Sequence, residues 1–276
     1  MARWRARMLP SADMTDPRLR IVRAPPGLIW RAFDEDQAVG AVSAMLRPNG
    51  RWFVHFDVCR DDSHEPLLAA VSENTGSDLY TIAGETDKQA LAQFTSLGFA
   101  VSRRESFVVV PTDPEVTGLH DTDEPEGVVI ISANDGFEDQ LRLLDDALRQ
   151  DVPGTEGWQW DPADFNEETF GSDFDPATYL VAVDEASGEY IGLVRVWNSP
   201  GRPRLGLIAV LPPYRRRGLA KILLARAFRA LHERGKKEVT AEVDDTNTAA
   251  RALMAKLGAR RTNGMVELVR PARAGS

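Results

Sequence analysis

The chain has 276 residues, a formal net charge of −9, 43% apolar residues and 27% charged residues. This composition is ordinary for a globular protein and excludes wholesale disorder, collagen and coiled coil, and the length fits one large or two small domains. The single cysteine, Cys59, excludes an internal disulfide framework and favours a reducing cytoplasmic setting. No stretch reaches the ~20 apolar residues of a membrane helix, so we expect no membrane partner.

The charges are unevenly distributed along the chain. Residues 113–175 hold 19 Asp and Glu against two Arg, whereas residues 202–273 hold 17 Lys and Arg against six acids. One segment therefore suits a cationic partner and the other an anionic one. Two solvated faces that attract each other are the alternative, and charge alone does not decide between them.

The proline and glycine pattern divides the chain into two domains. Three prolines and two glycines within 111–127 predict a linker, placed at 113–127. We expect a flexible lead at 1–17, a first domain at 18–112 and a second domain at 128–276. No long apolar segment follows the basic lead, so a secretory signal is not predicted.

The two halves also resemble each other at an offset of 160 residues. Residues 80–99 and 240–259 share apolar, small and glycine positions in the same order, and Pro111 and Pro271 close both units. Such self-similarity, with a matching strand–helix–strand context, predicts a duplicated domain.

Apolar patterning in the second half predicts alternating strands and helices. Residues 219–234 show one apolar face with helical spacing, and Gly235 ends that helix. The predicted strands are 128–132, 179–183, 190–197, 204–210, 238–243 and 265–269, and the predicted helices are 137–150, 219–234 and 246–257. Strands and helices mixed in this way predict an α/β (α+β) layer fold, with a mixed sheet flanked by helices.

The most informative segment is V-L-P-P-Y-R-R-R-G-L-A at 210–220, which follows a strand and opens a helix. A helix N-terminus carries unpaired N–H groups and partial positive charge, so it is suited to an anion. Gly218 allows close backbone approach, and Arg215, Arg216 and Arg217 add bidentate positive charge. A ligand with a pyrophosphate is predicted, although neither a P-loop nor a G-x-G-x-x-G motif is present.

The pattern V-x-P-x-x-R-x-x-G-x-A, followed about 27 residues later by N-x-x-A-x-x-x-M-x-x-x-G, resembles the two main motifs of the GCN5-related N-acetyltransferase (GNAT) superfamily. The resemblance covers about residues 128–271 well and about 18–111 as a degenerate copy. It implies tandem GNAT domains, each with a mixed, mainly antiparallel central sheet, and acetyl-CoA as cosubstrate. A solvated basic patch is the alternative for the arginines.

By this resemblance, the loop residues hold the CoA pyrophosphate, and the backbone of Ile208 and Val210 pairs with the pantetheine arm. The Ile208 N–H is the implied donor to the thioester oxygen, where charge develops during attack. Asn247 is the implied pantetheine ligand, with a helix N-cap as the alternative. The pyrophosphate loop comprises Arg215, Arg216, Arg217, Gly218, Leu219 and Ala220.

Glu242 matches the catalytic glutamate of the branch that resembles the ribosomal-protein acetyltransferases, so it is the predicted general base. An exposed strand carboxylate is the alternative. Met254 departs from the family pattern, because many relatives have a tyrosine there as general acid and methionine cannot donate a proton. Met254 is expected in the core or beside the thioester.

The segment 154–176 occupies the place where relatives build the acceptor pocket, and it combines five aromatic residues with seven acids. Aromatic faces and carboxylates suit a cationic amine, including an amino sugar. A surface flap with core aromatics is the alternative. The weakly implied acceptor residues are Trp158, Trp160, Asp164 and Glu168.

The first half is predicted to be a non-catalytic copy. Strand residues 51–58 are followed by C-R-D-D-S-H-E-P, which has acids where the second half has arginines. Counted from Val58, the phosphate loop of this copy is predicted to be eight residues shorter. His55 and His64 lack a metal-ligand spacing, so no metal is expected.

These features predict a tandem N-acetyltransferase that transfers acetyl from acetyl-CoA directly to a primary amine of a small cationic molecule, in a ternary complex. The tandem plan resembles small-molecule acetyltransferases, including those that modify aminoglycoside-type antibiotics and the synthase that completes mycothiol. An amino-sugar or aminoglycoside acceptor, and hence antibiotic resistance, is favoured. Acetylation of a protein lysine or N-terminus and non-catalytic acyl-CoA sensing are the alternatives. No nucleic-acid partner is expected, and a homodimer is compatible with the sequence.

Overall fold

The computed structural model describes residues 19–24, 28–120, 124–199 and 201–272. The expected flexible lead at 1–17 lies outside these residues. The chain forms two compact units, and each takes a segment from both halves of the sequence. The first unit holds residues up to Ser102 together with those from Val266 onward, and the second holds Arg103–Met265.

The first unit is built from strands and two helices of moderate length. Its sheet order is β1-β2-β3-β4-β5-β12, in which β1 to β4 pair antiparallel and β4 pairs with β5 in parallel. Leu67 of the first helix packs in one apolar cluster with Trp30 and Leu79 of the sheet. Its elements are β1 (Leu19–Ala24), β2 (Ile29–Asp34), β3 (Gln37–Leu46), β4 (Trp52–Phe56), α1 (His64–Thr75), β5 (Leu79–Gly84), α2 (Lys88–Ser96) and the later part of β12 (Arg260–Arg270).

The second unit has helices on both faces of its sheet, whose strand order is β6-β11-β10-β9-β8-β7. One apolar cluster packs under α6 and α7, and another packs under α4 and α5. Only β10 and β11 pair in parallel among these strands. The elements are β6 (Ala100–Pro111), α3 (Pro114–Thr117), β7 (Val128–Ser132), α4 (Glu138–Arg149), α5 (Pro162–Thr169), β8 (Tyr179–Asp184), β9 (Tyr190–Trp197), β10 (Arg204–Val210), α6 (Leu219–Glu233), β11 (Glu238–Asp244) and α7 (Thr248–Lys256).

Part of the last strand of each sequence half belongs to the unit of the other half. Val108 and Val110 of β6 are buried in the second unit, where β6 pairs with β11 from Glu238–Pro111 to Asp244–Glu105. Val266 and Leu268 of β12 are buried in the core of the first unit. The units therefore differ from the predicted domains 18–112 and 128–276, because strand pairing rather than chain order decides which strand completes a sheet.

The predicted linker at 113–127 is partly structured. Asp113 caps the short helix α3 by accepting a hydrogen bond from the Glu115 N–H at 2.9 Å. Leu119 is only 5% exposed and packs in the core of the second unit. The proline and glycine content that predicted a linker instead supplies a helix start and its left-handed end at Gly118.

The two halves repeat the same arrangement of elements, which supports the duplication seen in the sequence. Helices α2 and α7 are each capped by the side chain of the preceding residue, Asp87 or Asn247, 160 residues apart. The predicted shortening of the first loop by eight residues is wrong, because β4 ends at Phe56 and Val58 is 91% exposed outside it. The loop between strand and helix spans 57–63 in the first unit and 211–218 in the second.

Candidate active site

The parallel strands β10 and β11 separate soon after they meet. Their Cα partners are Arg204–Thr240 and Leu205–Ala241, and no later pair joins the two strands among the described residues. Beyond this point β10 is still paired with β9 as far as Val210. The backbone of Ile208 and Val210, which the sequence implicated, therefore lies along one side of a wedge that opens toward the carboxyl ends of both strands.

A loop with two left-handed residues joins β10 to α6. Arg216 has φ 68° and Gly218 has φ 85°, and α6 begins at Leu219. The first N–H of the helix with a backbone acceptor among the described residues is that of Lys221, 2.9 Å from the Gly218 carbonyl. The preceding N–H groups, including that of Ala220, are therefore available at the start of a 15-residue helix.

The three loop arginines have different surroundings. Arg215 is tied back into the unit, since its Nε donates to the Val210 carbonyl at 2.8 Å and its Nη2 pairs with Asp151. Arg217 lies over the Tyr214 ring at 5.3 Å, and Arg216 is exposed. Arg216 and Arg217 are thus better placed than Arg215 to meet an incoming anion, while Arg215 fixes the loop to the end of β10.

Helix α7 begins at the second motif. The Asn247 Oδ1 accepts the Ala250 N–H at 3.0 Å, so the N-cap expected as an alternative is present, and the Nδ2 donors are not used by this bond. Met254 is 5% exposed and lies in the apolar cluster beneath α6 and α7. Leu219 is buried in the same cluster, so only its backbone is suited to bind a ligand.

The predicted general base, Glu242, lies on β11 beside the opening of the wedge. Its side chain is 42% exposed, and its Oε2 is 3.8 Å from Nη1 of Arg204 on β10. Asp244, two residues further on, is buried and engaged differently, because its Oδ1 accepts the Thr246 N–H at 2.7 Å. Of these two strand carboxylates, Glu242 is the one open to a substrate.

A further carboxylate near Glu242 comes from the first half of the sequence. Glu105 on β6 is directly opposite Asp244 in register, and it pairs with Arg103. Burial raises the pKa of Glu105, and the nearby charges of Glu242 and Asp244 add to the rise, while Arg103 opposes it. The sequence did not point to Glu105, because this residue lies within the predicted non-catalytic domain.

The two implicated tryptophans have structural partners. The Trp160 Nε1 donates to the buried Asp145 at 2.8 Å, and the Trp158 ring packs edge-on against Trp160 at 5.2 Å. Arg149 lies over Trp158 at 4.7 Å and also pairs with Asp145. These rings pack beside a buried ionic group, and neither of them lines the cleft beside β10.

An open cleft of about 340 Å³ lies beside β10 on the α5 side of the second unit. Glu168 lines it, as the sequence implied, whereas Asp164 is exposed on α5 and does not. Trp197 and Arg204 were not predicted from the sequence. The available signal was Gly206, because a glycine within an apolar strand often marks a bulge or a close approach of the backbone. The side chains that line the cleft include Glu167, Glu168, Asp173, Phe174, Trp197 and Arg204.

Residues 141–259 match the model of the acetyltransferase (GNAT) family, and the chain thus contains a GNAT domain over that range. It is 36% identical over 152 residues to a mycothiol acetyltransferase of Salinispora arenicola, covering 53% of this chain and 49% of that protein. It is 42% identical over 57 residues to N-alpha-acetyltransferase MAK3 of Arabidopsis thaliana, covering 21% and 30%. The chain spans about half the length of the mycothiol acetyltransferase that it matches.

The fold extends this likeness to the first half of the chain. A tandem GNAT protein from the clavulanic acid biosynthesis pathway matches with a TM-score of 0.62 at 17% identity, covering 94% of this chain and 85% of that one. The predicted fold class, with a mainly antiparallel mixed sheet and flanking helices in each GNAT-like half, is thereby confirmed. Within the described residues, no helix is long and apolar enough to cross a membrane.

Proposed function

We propose that the protein is an acetyl-CoA-dependent N-acetyltransferase whose second unit transfers acetyl to a primary amine of a small cationic molecule. The observation that carries the proposal is the wedge between β10 and β11, which ends at a loop with exposed Arg216 and Arg217 and unpaired helix N–H groups. A thioester ligand with a pyrophosphate fits both parts of this site.

The residues of the second unit fit each part of acetyl-CoA, which supplies an activated acetyl group. Arg216, Arg217 and the N–H groups from Gly218 onward would hold the pyrophosphate. The backbone of Ile208 and Val210 would pair with the pantetheine arm, and the Asn247 Nδ2 would donate to it while the Oδ1 keeps its cap. This assignment is supported by the two motifs and by the break in strand pairing.

Two groups of the chain would act on the reacting atoms. Glu242 would receive the proton of the acceptor amine, directly or through water, because it is the accessible carboxylate beside the wedge. The Ile208 N–H would donate to the acetyl oxygen. Met254 is buried and has no proton to donate, so water would protonate the departing thiolate.

The cleft beside β10 supports a cationic acceptor. Glu167, Glu168 and Asp173 place three carboxylates along it, with the aromatic rings of Phe174 and Trp197 nearby. Ammonium groups are bound by such a combination. We favour an amino sugar or aminoglycoside-type acceptor, with a role in resistance. The similarity to a mycothiol acetyltransferase supports a small-molecule acceptor. We place the reaction in a reducing cytoplasm.

Two other functions have an observation in their favour. The match to N-alpha-acetyltransferase MAK3 over 57 residues favours acetylation of a protein N-terminus or lysine. The buried Met254 at the position of the usual general acid favours a module that senses acyl-CoA without transferring the acyl group.

The proposal is tested by measuring thiol release from acetyl-CoA in the presence of single amines. The panel comprises an aminoglycoside, glucosamine, 2-deoxystreptamine, spermidine, a lysine peptide and an N-terminal peptide. We expect turnover with the amino sugars and none with the peptides. Turnover on peptides alone would establish the protein-acetylating alternative, and tight CoA binding without turnover on any amine would favour the sensor.

A further inference from the structure

Trp197 occupies space that a side chain on the neighbouring strand would otherwise fill. It is the last residue of β9, and it lines the cleft. A Cβ added to Gly206 of β10 would lie 1.9 Å from Cζ3 of the Trp197 ring and 2.5 Å from its Cη2. The register of β9 and β10 shifts between Leu205 and Leu207, so Gly206 is at a bulge. The ring therefore lies across the backbone of β10 two residues before Ile208.

Two arginines hold the ring in this position. The guanidinium carbons of Arg195 and Arg204 are 4.4 Å and 4.2 Å from the ring centroid. Arg195 is 2% exposed and lies 3.6 Å from Oδ2 of Asp145, which is itself fully buried. A planar side chain with a buried ion pair beneath it loses little conformational freedom when a ligand binds, so it is suited to select a ligand by shape.

The same ring connects the acidic cleft with the predicted general base. Arg204 contacts the ring and also reaches Glu242, whose Oε2 is 3.8 Å from its Nη1. Glu167, Glu168 and Asp173 line the cleft on its α5 side. An acceptor that packs against the cleft side of the ring would thus have one end near Glu242 and the other near the three carboxylates.

We propose that Trp197 selects the acceptor, as a platform for a ring-shaped amine that carries a second ammonium group. The reacting amine faces Glu242, the ring of the acceptor packs against the part of the indole that the two guanidinium groups leave open to the cleft, and the second ammonium group meets the carboxylates of Glu167, Glu168 and Asp173. This inference rests on the proposed function, and it adds the shape of the acceptor to it. A linear polyamine would meet the carboxylates and gain little from the indole.

Calorimetry with bound CoA tests the platform without requiring turnover. The probes are 2-deoxystreptamine, a ring with two amines, and spermidine, which is linear. Trp197→Ala is expected to weaken 2-deoxystreptamine by about tenfold and spermidine by less than about twofold, since only the ring contact is lost. Equal weakening of both probes, no weakening of either, or no binding of 2-deoxystreptamine to the unaltered protein would overturn the proposal.

A double-mutant cycle tests whether the position of the ring is what matters. Gly206→Ala adds one methyl group that displaces the ring, so it should weaken 2-deoxystreptamine by about tenfold alone and by less than about twofold in a Trp197→Ala background. Gly84→Ala on β5, where the nearest atom is 3.9 Å away, is the matched control. Additive effects of the two substitutions would contradict the proposal.

The same variants separate this inference from the proposed function. If 2-deoxystreptamine binds through Trp197 and no amine in the panel releases thiol, the platform stands and the transferase proposal fails. If thiol is released with several amines and Trp197→Ala leaves their KM values unchanged, the transferase proposal stands and the platform fails. The KM for acetyl-CoA should change by less than about twofold in Trp197→Ala, because the indole lies on the acceptor side of the strand.

Discussion

The two units separate a pair of parallel strands at the same point and differ in the loop that follows. Among the described residues, β4 and β5 of the first unit pair at Trp52–Leu79 and Phe53–Tyr80, just as β10 and β11 pair at two positions in the second unit. Residues 57–63 contain three Asp, one Arg and no glycine, whereas residues 211–218 contain three Arg and one Gly. The wedge is thus present in both units, whereas the groups that we propose bind an anion belong to the loop of the second unit.

The units also differ on the acceptor side of the sheet. Four residues join β1 to β2, whereas 46 residues that include α4 and α5 join β7 to β8. At the offset of 160 residues, exposed Ile82 takes the place of Glu242. In the part of the first unit that the structure describes, the cluster of loop arginines, Glu242 and the helices α4 and α5 therefore have no counterparts. This comparison supports a structural role for the first copy.

The largest expected effect comes from giving the second loop the charge of the first. Arg216→Asp combined with Arg217→Asp should weaken acetyl-CoA binding by about 1000-fold, because two charge-assisted contacts of about 2 kcal/mol each are lost. Calorimetric titration with acetyl-CoA measures this effect. Arg229→Asp, an exposed site in the last two turns of α6, is the control. Equal affinity in the loop variant and the control would show that the loop does not hold the pyrophosphate.

The next largest effect concerns Glu242, the proposed general base. Glu242→Gln should lower kcat by about 100-fold, since the amine would lose its proton acceptor, while the KM for acetyl-CoA stays within about twofold. Glu242→Ile, which copies the first unit, should do the same. Steady-state thiol release measures both variants. Glu238→Gln on the same strand is the control, and a kcat for Glu242→Gln equal to that of this control would rule out the assignment.

The exchanged strands predict a stability effect in the first unit. Leu268→Ala near the end of the chain should lower the free energy of unfolding by about 3 kcal/mol, because Leu268 is 1% exposed in the core of the first unit. Urea denaturation measures the loss. Val269→Ala at the adjacent, half-buried position should cost less, so equal losses at both positions would argue against the burial of β12 in this unit.

The smallest effect concerns Tyr179, which lies in the apolar cluster under α4 and α5 of the second unit. Burial raises the pKa of Tyr179 to about 12, and the charge of Asp145 adds to the rise while Arg195 opposes it. A raised pKa means that the neutral phenol is favoured in the folded state, so this stabilisation is complete below the unfolded value of about 10 and is lost as pH rises through 12.

Between pH 9 and pH 11, the free energy of unfolding should therefore fall by about 1 kcal/mol less in Tyr179→Phe than in the unaltered protein. Thermal unfolding across this pH range measures the difference. Tyr80→Phe in the first unit shows the effect of removing a tyrosine elsewhere. A parallel pH dependence for Tyr179→Phe and the unaltered protein would contradict the burial of this phenol.

Continuous apolar patterns predicted most elements of the second half. The predicted strands 128–132 and 204–210 match β7 and β10, and the predicted helix 219–234 ends one residue beyond α6. The strand predicted at 265–269 begins at Arg260 in the structure, because pairing extends it through polar residues that give no apolar signal. Val58 caused the opposite error. It is apolar and was therefore counted with the strand, but it is exposed and lies beyond the end of β4 at Phe56.

The sequence by itself determined the duplication, the order of strands and helices, and the arginine loop with its two motifs, since these depend on local spacing. Only the tertiary structure decided which unit each final strand completes, that Glu105 lies beside Asp244, and that Trp197 covers Gly206. These features join residues far apart in the chain. They arise from strand pairing and close packing, which a local pattern does not specify.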